Sequence, residues 1–532
     1  MTAYQDSFAK DRLPPPGQWP ELIHLEELGY PETLNCAGPL LDDAVSEGHG
    51  GRTVITTPEG SWTYAELQAD ANRIARVLTE DLGLISGNRV LLRGPNNYMM
   101  VACWFGVVKA GGIAVATMPL LRAPELKTIL NKAEIRFALC DHRLLDELNQ
   151  ARPDSMLEHV LAFGNSDLEG QMVSKPAAFP TFPARQNDVC LIAFTSGTTG
   201  LPKAAAHFHR DMLTICKTYS AECLQPVSED RFIGSPPLAF TFGLGGLVLF
   251  PMHARASTIL LEQAGPDQLL EAIRRYEATA VFTSPTAYRF MLNHLDQSPL
   301  PSLRFGVSAG ETLPQPTFDA WKEKTGMELL DGIGSTEMLH IFISSRPDRL
   351  KPGATGTPVP GYEAQVVDEE MNPVPPGTTG ILAVRGPTGC TYLDDERQQK
   401  YVREGWNLTG DAYQVDEEGF FWFQARTDDM IISSGYNIAG PEVEAALMAH
   451  PSVAECAVIG VADEQRGQLV KAFVVLREEQ EASAEKVSEL QEFVKNTIAP
   501  YKYPRRIEFV STLPKTGTGK VQRFRLRQQE SG

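Results

Sequence analysis

The part of the sequence best suited to chemistry is a nine-residue stretch, Thr195-Ser-Gly-Thr-Thr-Gly-Leu-Pro-Lys203, that directly follows an apolar run. Its two glycines let backbone N–H groups turn toward an anion, and the hydroxyls and the lysine add further donors. The Gly-Lys-Ser/Thr ending of a Walker A loop is absent. A bare glycine–threonine turn is usually only a surface loop, but nine such residues after a buried strand favour a mobile phosphate-binding loop. Its candidate contacts are Thr195, Ser196, Gly197, Thr198, Thr199, Gly200 and Lys203.

Four further motifs follow along the chain. Asp331-Gly-Ile-Gly-Ser-Thr-Glu337 and Trp406-Asn-Leu-Thr-Gly-Asp411 supply carboxylates and hydroxyls, and Arg426-Thr-Asp-Asp lies between two apolar blocks. Pro514-Lys-Thr-Gly-Thr-Gly-Lys520 is a second glycine- and threonine-rich loop that ends in a lysine. Alone, each motif has an ordinary structural explanation, such as a capping pair, a turn, or a solvated lysine. Their order along one chain is the stronger signal.

The five motifs resemble, in kind and order, those of the adenylate-forming superfamily of acyl-CoA ligases, luciferases and peptide-synthetase adenylation domains. The resemblance covers nearly the whole chain. Asp331 departs from it, since many members have an aromatic residue there, and Ala425 replaces the usual glycine before the arginine. Ile432 stands where a number of relatives have lysine, which weighs against luciferase-like oxidation. Because this superfamily activates carboxylates with ATP, the resemblance implies an acyl-adenylate intermediate.

The resemblance also implies a role for each motif. Lys520 would bridge the substrate carboxylate and the α-phosphate, Glu337 would ligate Mg²⁺, and Thr336 would contact phosphate. Such groups suit the reaction, because two like charges about 4 Å apart repel by about 1 kcal/mol in water and about 4 kcal/mol at an effective dielectric of about 20. Cations and aimed donors offset this repulsion. The other nucleotide contacts that the resemblance implies are Ala309, Gly310, Glu311, Asp331, Gly332, Ile333, Asp411 and Arg426.

Two residues of the C-terminal part have implied roles after adenylation. Gly435 lacks a side chain and suits a narrow tunnel for the pantetheine arm of coenzyme A. Asp428 lies between two blocks that each look like a domain, and it is the predicted hinge. Lys515, in the same loop as the predicted catalytic lysine, is expected to be an ordinary surface residue.

The acid is expected to be aromatic. Within the superfamily, the run from Asp331 to His340 looks like the benzoate-CoA ligase group, and the opening Phe8-Ala-Lys-Asp-Arg-Leu-Pro-Pro-Pro resembles the 2-aminobenzoate (anthranilate)-CoA ligases. A flat apolar slot suits a planar ring. His340 is either a hydrogen-bond partner of an ortho amine or a histidine outside the pocket lining whose hydrogen bonds are made by other protein groups. The sequence leaves both alternatives open. The predicted pocket residues are Phe240, Thr241, Phe242, Gly243, Gly334 and His340, together with Ala309 and Ile333.

The elements that must position these residues are those of an α/β protein. Apolar runs such as Arg89–Leu92 alternate with stretches of helical spacing such as Thr63–Glu80, which predicts parallel sheets covered by helices. The apolar run Met99–Leu121 is predicted to be a buried helix that leads into a strand, not a membrane span. The Pro-rich stretch Ser174–Pro183 is expected to separate this series of strands from a second series that begins at Val189.

The domain organisation is predicted from a change in the sequence pattern along the chain. From Gly361 onward, short strands punctuated by glycine and proline predict a small β-rich unit. The last hundred or so residues look like a compact α+β module. The expected fold is therefore a large N-terminal adenylation domain, residues 1–427, made of helix-covered parallel sheets plus the β-rich unit. A small mobile C-terminal lid domain, residues 428–532, follows it.

Composition limits the partners. The 532 residues have a net charge of −19, from 67 acidic and 48 basic residues, which argues against nucleic acid and anionic membranes as partners. The eight cysteines are scattered, without a CxxC pair, which is typical of reduced thiols in a cytoplasmic enzyme.

The predicted function is ATP-dependent activation of an aromatic acid to acyl-AMP and transfer to coenzyme A, most specifically 2-aminobenzoate to 2-aminobenzoyl-CoA. ATP, Mg²⁺ and coenzyme A are the expected cofactors and co-substrates, and the sequence leaves a homodimer open. The alternatives are a ligase for benzoate or another aryl acid, and a stand-alone aryl-adenylating enzyme that loads a carrier protein. A nucleotide sensor without catalysis is expected to lack Lys520 or Glu337, and both are present.

Overall fold

The computed structural model describes residues 2–195, 202–295, 300–433, 436–463, 467–477, 480–498, 500–515 and 520–531. The chain divides into two compact units. The first unit is Met1–Ala364 with Val384–Asn407, and the second is Gln365–Ala383 with Leu408–Gly532. The expected boundary between residues 427 and 428 divides the chain at another place, and it stays a prediction.

A six-stranded sheet of the first unit contains the strand that precedes the glycine- and threonine-rich stretch. Neighbouring strands are parallel except for the last pair, which is antiparallel. The second and third strands in the order below are buried at every residue, as expected for strands that helices cover on both faces. In sheet order the strands are His159–Phe163, Phe137–Asp141, Arg89–Arg93, Ile113–Thr117, Val189–Thr195 and Lys203–Phe208.

A nine-stranded sheet of the same unit contains the Asp331 motif. Its six central strands are parallel, and the strands at both edges are antiparallel. The carboxyl ends of its parallel strands meet at one edge, where α/β proteins commonly bind ligands. In sheet order the strands are Thr357–Pro358, Ile341–Ser344, Leu329–Gly334, Phe305–Ala309, Ala280–Thr283, Arg231–Gly234, Ser257–Ile259, Thr53–Thr57 and Gly60–Thr63.

The expected division of the strands at the Pro-rich stretch is wrong. Val189–Thr195 pairs with Ile113–Thr117, so it belongs to the same sheet as the strands before the stretch. Thr53–Thr57, near the N-terminus, pairs instead with Ser257–Ile259 in the nine-stranded sheet. An apolar run identifies a buried strand, but its pattern does not reveal which distant strand lies beside it.

Helices lie between the strands as predicted. Tyr64–Arg76 begins with a capping box, in which Thr63 and Glu66 satisfy each other's backbone N–H groups. Tyr98–Lys109 is buried along nearly its whole length and leads into the strand Ile113–Thr117, as predicted for this apolar run. Among the described residues, no helix is long and apolar enough to cross a membrane. The other α-helices of the first unit with five or more residues are Phe8–Arg12, Ala123–Lys132, Leu145–Ala151, Asp167–Val173, His209–Ile215, Pro266–Arg275, Pro285–Leu292 and Gln315–Thr325.

A helical segment with a π-helical middle follows Phe240. It consists of Thr241–Leu244, the π-helix Gly245–Leu249 and Phe250–His253, which follow one another without a break. π-Helical turns within α-helices often occur at functional sites.

Short strands follow Gly361, as predicted. The boundary between the two compact units falls within three of these strands, at residues 364/365, 383/384 and 407/408. The five strands are Glu363–Val367, Gly380–Arg385, Val402–Arg403, Trp406–Val415 and Phe421–Arg426.

The C-terminal part of the second unit is the predicted α+β module. The helix Ala484–Thr497 buries Leu490 and Val494 against a core that includes Val443 and Val470. The helices are Gly440–Met448, Ala484–Thr497 and Arg523–Ser531. The sheet order is Tyr436–Ala439, Met430–Ser433, Gly467–Leu476 and Val453–Asp463, with Arg506–Phe509 parallel to Gly467–Leu476. The mixed α/β fold class is thus confirmed.

Candidate active site

The predicted phosphate-binding loop connects two antiparallel strands of the six-stranded sheet. Thr195, the last residue of one strand, is the partner of Lys203, the first residue of the next. The Oγ1 atom of Thr195 is buried and has no hydrogen-bond partner among the described residues. Ser196, Gly197, Thr198, Thr199 and Gly200 lie outside the described residues. A rigid sheet therefore fixes both ends of the loop.

Lys203 and Glu337, predicted from separate motifs, lie together beside Tyr392. Lys203 Nζ is 2.8 Å from the Tyr392 hydroxyl oxygen and 3.4 Å from Glu337 Oε1. The Tyr392 hydroxyl in turn donates a hydrogen bond to Glu337 Oε1. Tyr401 lies close to the same group: its ring centroid is 5.8 Å from Lys203 Nζ. The Tyr401 hydroxyl oxygen is 3.3 Å from Ser335 Oγ. A cation, a carboxylate and a hydroxyl thus meet at the start of the strand that leaves the loop.

His207 lies in that same strand and was missed by the sequence reasoning. It is buried, and neither ring nitrogen has a hydrogen-bond partner among the described residues. Burial lowers its pKa to about 4, opposed in part by the backbone of Thr336 and the charge of Glu337. A neutral imidazole therefore lies behind the Thr336–Glu337 turn.

The predicted adenine-side residues lie at the ends of two adjacent parallel strands. Ser308 pairs with Asp331, and Ala309 pairs with Gly332. Gly310 has a φ of +89°, a conformation that favours glycine, so the chain turns sharply at the end of its strand. These pairs bring the Ala309–Glu311 and Asp331–Ile333 segments side by side.

Two acidic residues of this edge are in different environments. Burial raises the pKa of Asp331 well above its usual range, and the Ser308 hydroxyl and the Gly332 backbone oppose this effect. Glu311 accepts a hydrogen bond of 2.6 Å from the Thr286 hydroxyl. Asp331 is therefore a buried carboxyl with a tendency to stay protonated, which differs from an exposed metal-binding carboxylate.

His340 lies inside a cluster of aromatic rings. Its ring centroid is 4.6 Å from that of Phe250, 5.5 Å from that of Tyr219 and 5.6 Å from that of Phe242. Neither ring nitrogen has a hydrogen-bond partner among the described residues. Burial lowers the pKa of His340 to about 3, and the backbone of Phe242 opposes this only in part. The imidazole is neutral at physiological pH, and its two nitrogens keep their hydrogen-bonding capacity.

Three glycines make room for this arrangement. A Cβ atom on Gly245 would lie 2.4 Å from His340 Cδ2, and one on Gly334 would lie 2.7 Å from the His340 carbonyl carbon. A Cβ atom on Gly243 would lie 2.1 Å from the Pro237 carbonyl oxygen. Real Cβ atoms do not approach other atoms so closely, so the packing around His340 depends on glycine at positions 245 and 334, and the packing against Pro237 depends on glycine at position 243.

Phe240 and Thr241 begin the helical segment that carries Phe242. Thr241 is buried, whereas the Phe240 side chain is 36% exposed. The backbone N–H of Phe240 donates to the Pro237 carbonyl oxygen at 3.0 Å, and its own carbonyl accepts from Leu244 at 2.8 Å. Of the predicted pocket residues, the structure places Phe242, Gly334 and His340 in one cluster.

Asp411 and Arg426 are cross-strand partners in the second unit. Arg426 Nη1 is 2.9 Å from Asp411 Oδ1 and 3.2 Å from the Thr409 carbonyl oxygen. Gly410, which directly precedes Asp411, has a φ of +76°, and a Cβ atom there would lie 2.7 Å from Arg426 Nη2. The structure therefore brings these two predicted nucleotide contacts together.

The remaining predicted residues are in the C-terminal part. Lys520 is exposed, and the ends of its loop are held together by a hydrogen bond of 2.8 Å from Gln522 N to the Pro514 carbonyl. Lys515 pairs with Glu455 at 2.7 Å, as expected of a surface residue. Asp428 lies in a short 3₁₀ turn, Thr427–Asp429. Gly435 lies outside the described residues.

Models of known protein families match both parts of the chain. The AMP-binding enzyme model matches residues 42–391, and the AMP-binding enzyme C-terminal domain model matches residues 442–520. A benzoate–CoA ligase of Thauera aromatica is 35% identical over 507 residues, which cover 93% of this chain and 96% of that protein.

Solved structures resemble the whole fold. The crystal structure of the anthranilate CoA ligase AuaEII in complex with anthranoyl-AMP matches with a TM-score of 0.89 and 35% identity, over 94% of this chain and 98% of that one. The structure of a benzoate CoA ligase from Burkholderia xenovorans matches with a TM-score of 0.84 and 32% identity, over 93% and 99% of the two chains. These matches confirm the resemblance that the five motifs indicated.

Proposed function

Because the chain belongs to the AMP-binding enzyme family and is an AMP-forming ligase, we propose that it joins an aromatic carboxylic acid to coenzyme A. In the first step, a carboxylate oxygen of the acid attacks the α-phosphorus of ATP, and pyrophosphate leaves. In the second step, the coenzyme A sulfur attacks the acyl carbonyl, its proton is lost to solvent, and AMP leaves. The preferred acid in this proposal is 2-aminobenzoate.

The observation that carries the aromatic substrate is the ring cluster around His340. The rings of Phe242 and Phe250 lie beside His340, a neutral polar group whose nitrogens have no partner among the described residues. A planar acid gains apolar burial against such rings, at about 25 cal/mol per Å². An ortho amine on that acid gives the imidazole a hydrogen-bond partner, which supports 2-aminobenzoate over benzoate.

The known relatives support the same class of acid. One is a benzoate–CoA ligase, and a structure of similar fold is an anthranilate CoA ligase with anthranoyl-AMP bound. They support an aromatic ring and leave the choice of substituent to experiment.

In this proposal, Lys203 and Glu337 act on the triphosphate. Lys203 neutralises phosphate charge as ATP binds, and Thr336 donates its hydroxyl to a phosphate oxygen. Mg²⁺ requires oxygen ligands, and the carboxylate of Glu337 would supply one. Tyr392 and Lys203 both bond to Oε1 of Glu337, which fixes the position of the carboxylate that would hold the cation. Once bound, Mg²⁺ neutralises charge on the phosphates.

The second unit supplies the remaining groups. Asp411, held by Arg426, accepts hydrogen bonds from the ribose hydroxyls. Lys520 bridges the acid carboxylate and the α-phosphate during adenylation. A pivot at Asp428 then brings Gly435 to the active site for thioester formation.

Two broader proposals concern the setting of the reaction. A cytoplasmic location is supported by the eight cysteines, all of which are free thiols. A homodimer is compatible with this function, and sedimentation velocity of the purified protein tests it.

A ligation screen tests the proposed function. The enzyme is incubated with ATP, Mg²⁺, coenzyme A and one acid at a time: benzoate, its amino and hydroxy derivatives at each ring position, and straight-chain acids. AMP release and acyl-CoA are measured together, and we expect 2-aminobenzoate to give the highest kcat/KM. A best substrate without a ring would refute the aromatic pocket. Pyrophosphate exchange without thioester formation would instead indicate an enzyme that loads a carrier protein.

A further inference from the structure

Tyr392 lies where two predicted phosphate-site residues, Lys203 and Glu337, meet, although Tyr392 itself belongs to none of the five motifs. Its hydroxyl contacts Lys203 Nζ at 2.8 Å and also bonds to Glu337 Oε1. The three residues are 134 and 55 positions apart along the chain, so tertiary structure alone brings them together.

The direction of both hydrogen bonds is fixed by chemistry. An ammonium group only donates and a carboxylate only accepts, whereas a phenol has one donor and two acceptor sites. The Tyr392 hydroxyl therefore donates to Glu337 and accepts from Lys203. One neutral hydroxyl thus holds a cation and an anion at a defined spacing.

The backbone of Tyr392 is held by the strand that carries Lys203. Ala206 N donates to the Thr391 carbonyl at 2.8 Å, and Leu393 N donates to the Ala204 carbonyl at 2.9 Å. Tyr392 N donates to the buried Gln398 side chain at 2.9 Å. Hydrogen bonds on both sides therefore fix the hydroxyl relative to the end of the predicted phosphate-binding loop.

We propose that Tyr392 is a positioning residue for MgATP: its hydroxyl keeps Lys203 and Glu337 oriented for the phosphates and for Mg²⁺. This inference rests on the proposed function. If it holds, Tyr392 acts through those two residues and has little influence on the acid. A purely structural role for the buried ring predicts a different result, because it would affect stability and both substrates alike.

The test variant is Tyr392→Phe, which removes the hydroxyl and keeps the ring 4.9 Å from Lys203 Nζ. Tyr64→Phe is the matched control, because it removes the hydroxyl of another buried tyrosine, which donates to the Ala256 carbonyl oxygen at 2.7 Å and contacts none of the predicted site residues. We expect the Kd for MgATP, measured by calorimetry, to rise about tenfold in Tyr392→Phe, as for loss of one charge-assisted hydrogen bond. The Mg²⁺ concentration for half-maximal binding should rise with it.

Three further results decide the question. The KM for the acid should change by less than about twofold, and the Tyr64→Phe control should bind MgATP about as well as wild type. In a double-mutant cycle, Tyr392→Phe should lose most of its effect once Lys203→Met is present. Unchanged MgATP affinity, or equal losses for MgATP and acid, overturns the proposal. Tyr392→Met, another apolar replacement, must weaken MgATP binding to the same extent. If only Tyr392→Phe loses MgATP affinity and that variant is destabilised, the proposal is also overturned. Nucleotide binding is read without any acid, so a wrong proposed acid leaves this test intact.

Discussion

Replacing His340 by leucine separates its polar role from its packing role. The side chain is surrounded by Tyr219, Phe242 and Phe250, and leucine keeps apolar bulk there while removing both ring nitrogens. Because those nitrogens have no partner among the described residues, their loss leaves no broken hydrogen bond within that part of the chain. The folded state should therefore keep most of its stability, and a change in acid preference can be attributed to substrate contacts.

The expected size of the effect follows from the charge state of the imidazole. With a pKa of about 3, His340 is neutral under assay conditions, so it offers the amine an ordinary hydrogen bond and not an ion pair. Such a bond contributes about 0.5–1.5 kcal/mol, or about twofold to tenfold in kcat/KM. We expect the kcat/KM ratio of 2-aminobenzoate to benzoate to fall by that factor in His340→Leu. In wild type, the ratio should not vary with pH between about 6 and about 8, since His340 does not titrate there.

The assay is competition between the two acids in one reaction, with both CoA thioesters quantified by chromatography. Phe250→Leu is the control, because it changes a ring 4.6 Å from His340 without removing a polar group. That variant should affect both acids alike. An unchanged ratio in His340→Leu, or the same change in Phe250→Leu, would refute the reasoning and leave His340 as a packing residue.

Four other predictions follow from the same structure. Lys520→Ala should nearly abolish acyl-AMP formation, measured by pyrophosphate exchange, while thioester formation from supplied acyl-AMP survives; equal loss in both would indicate a folding defect. Asp428→Pro fixes φ at about −65° and should permit adenylation but block transfer of the acyl group to coenzyme A. If both steps keep their wild-type rates, the pivot lies at another residue. Gly243→Ala places a Cβ atom 2.1 Å from the Pro237 carbonyl oxygen and should lower the urea midpoint of unfolding, whereas Gly170→Ala, with open space around its Cβ position, should not. Burial lowers the pKa of His207 to about 4 from 6.5, so between these values the unfolded chain binds a proton at this residue and the folded chain does not. The free energy of unfolding should therefore fall as pH drops below about 6.5, by about 2 kcal/mol at about pH 5 for this residue. Urea unfolding at several pH values should show a weaker pH dependence for His207→Phe than for wild type.

The sequence was sufficient for what depends on local pattern. Burial of whole strands, a helix in the stretch Thr63–Glu80 and the helix that precedes Ile113 all follow from apolar spacing within a few residues. Strand neighbours did not follow. Val189–Thr195 has the same apolar texture whichever sheet it joins, and only pairing with a strand more than seventy residues earlier decides its position.

The candidate site divides in the same way. Lys203 and Glu337 are found because each lies in a motif with several matching neighbours. Tyr392 and His207 are single residues outside the five motifs, and a lone buried tyrosine or histidine is usually a core residue. Their roles in the cluster appear only when the fold places them beside residues from distant motifs. The nearest sequence signal was position, since His207 is four residues after Lys203 in the strand that leaves the loop.

The proposed nucleotide and acid contacts are linked by one short turn. Glu337 and His340 are three residues apart, in a segment where Met338 N donates to Ser335 Oγ at 3.2 Å and Leu339 N donates to the Thr336 carbonyl at 3.1 Å. Leu339 has a φ of +72°, an uncommon conformation for a residue with a side chain. Such backbone strain persists only where the surrounding packing enforces it. A substitution that displaces the backbone of His340 is therefore expected to shift Glu337 as well, and to weaken acid and MgATP binding together, whereas Tyr392→Phe leaves this turn in place. For this reason only a ratio between two acids, measured at one nucleotide concentration, isolates the contribution of His340 to selectivity.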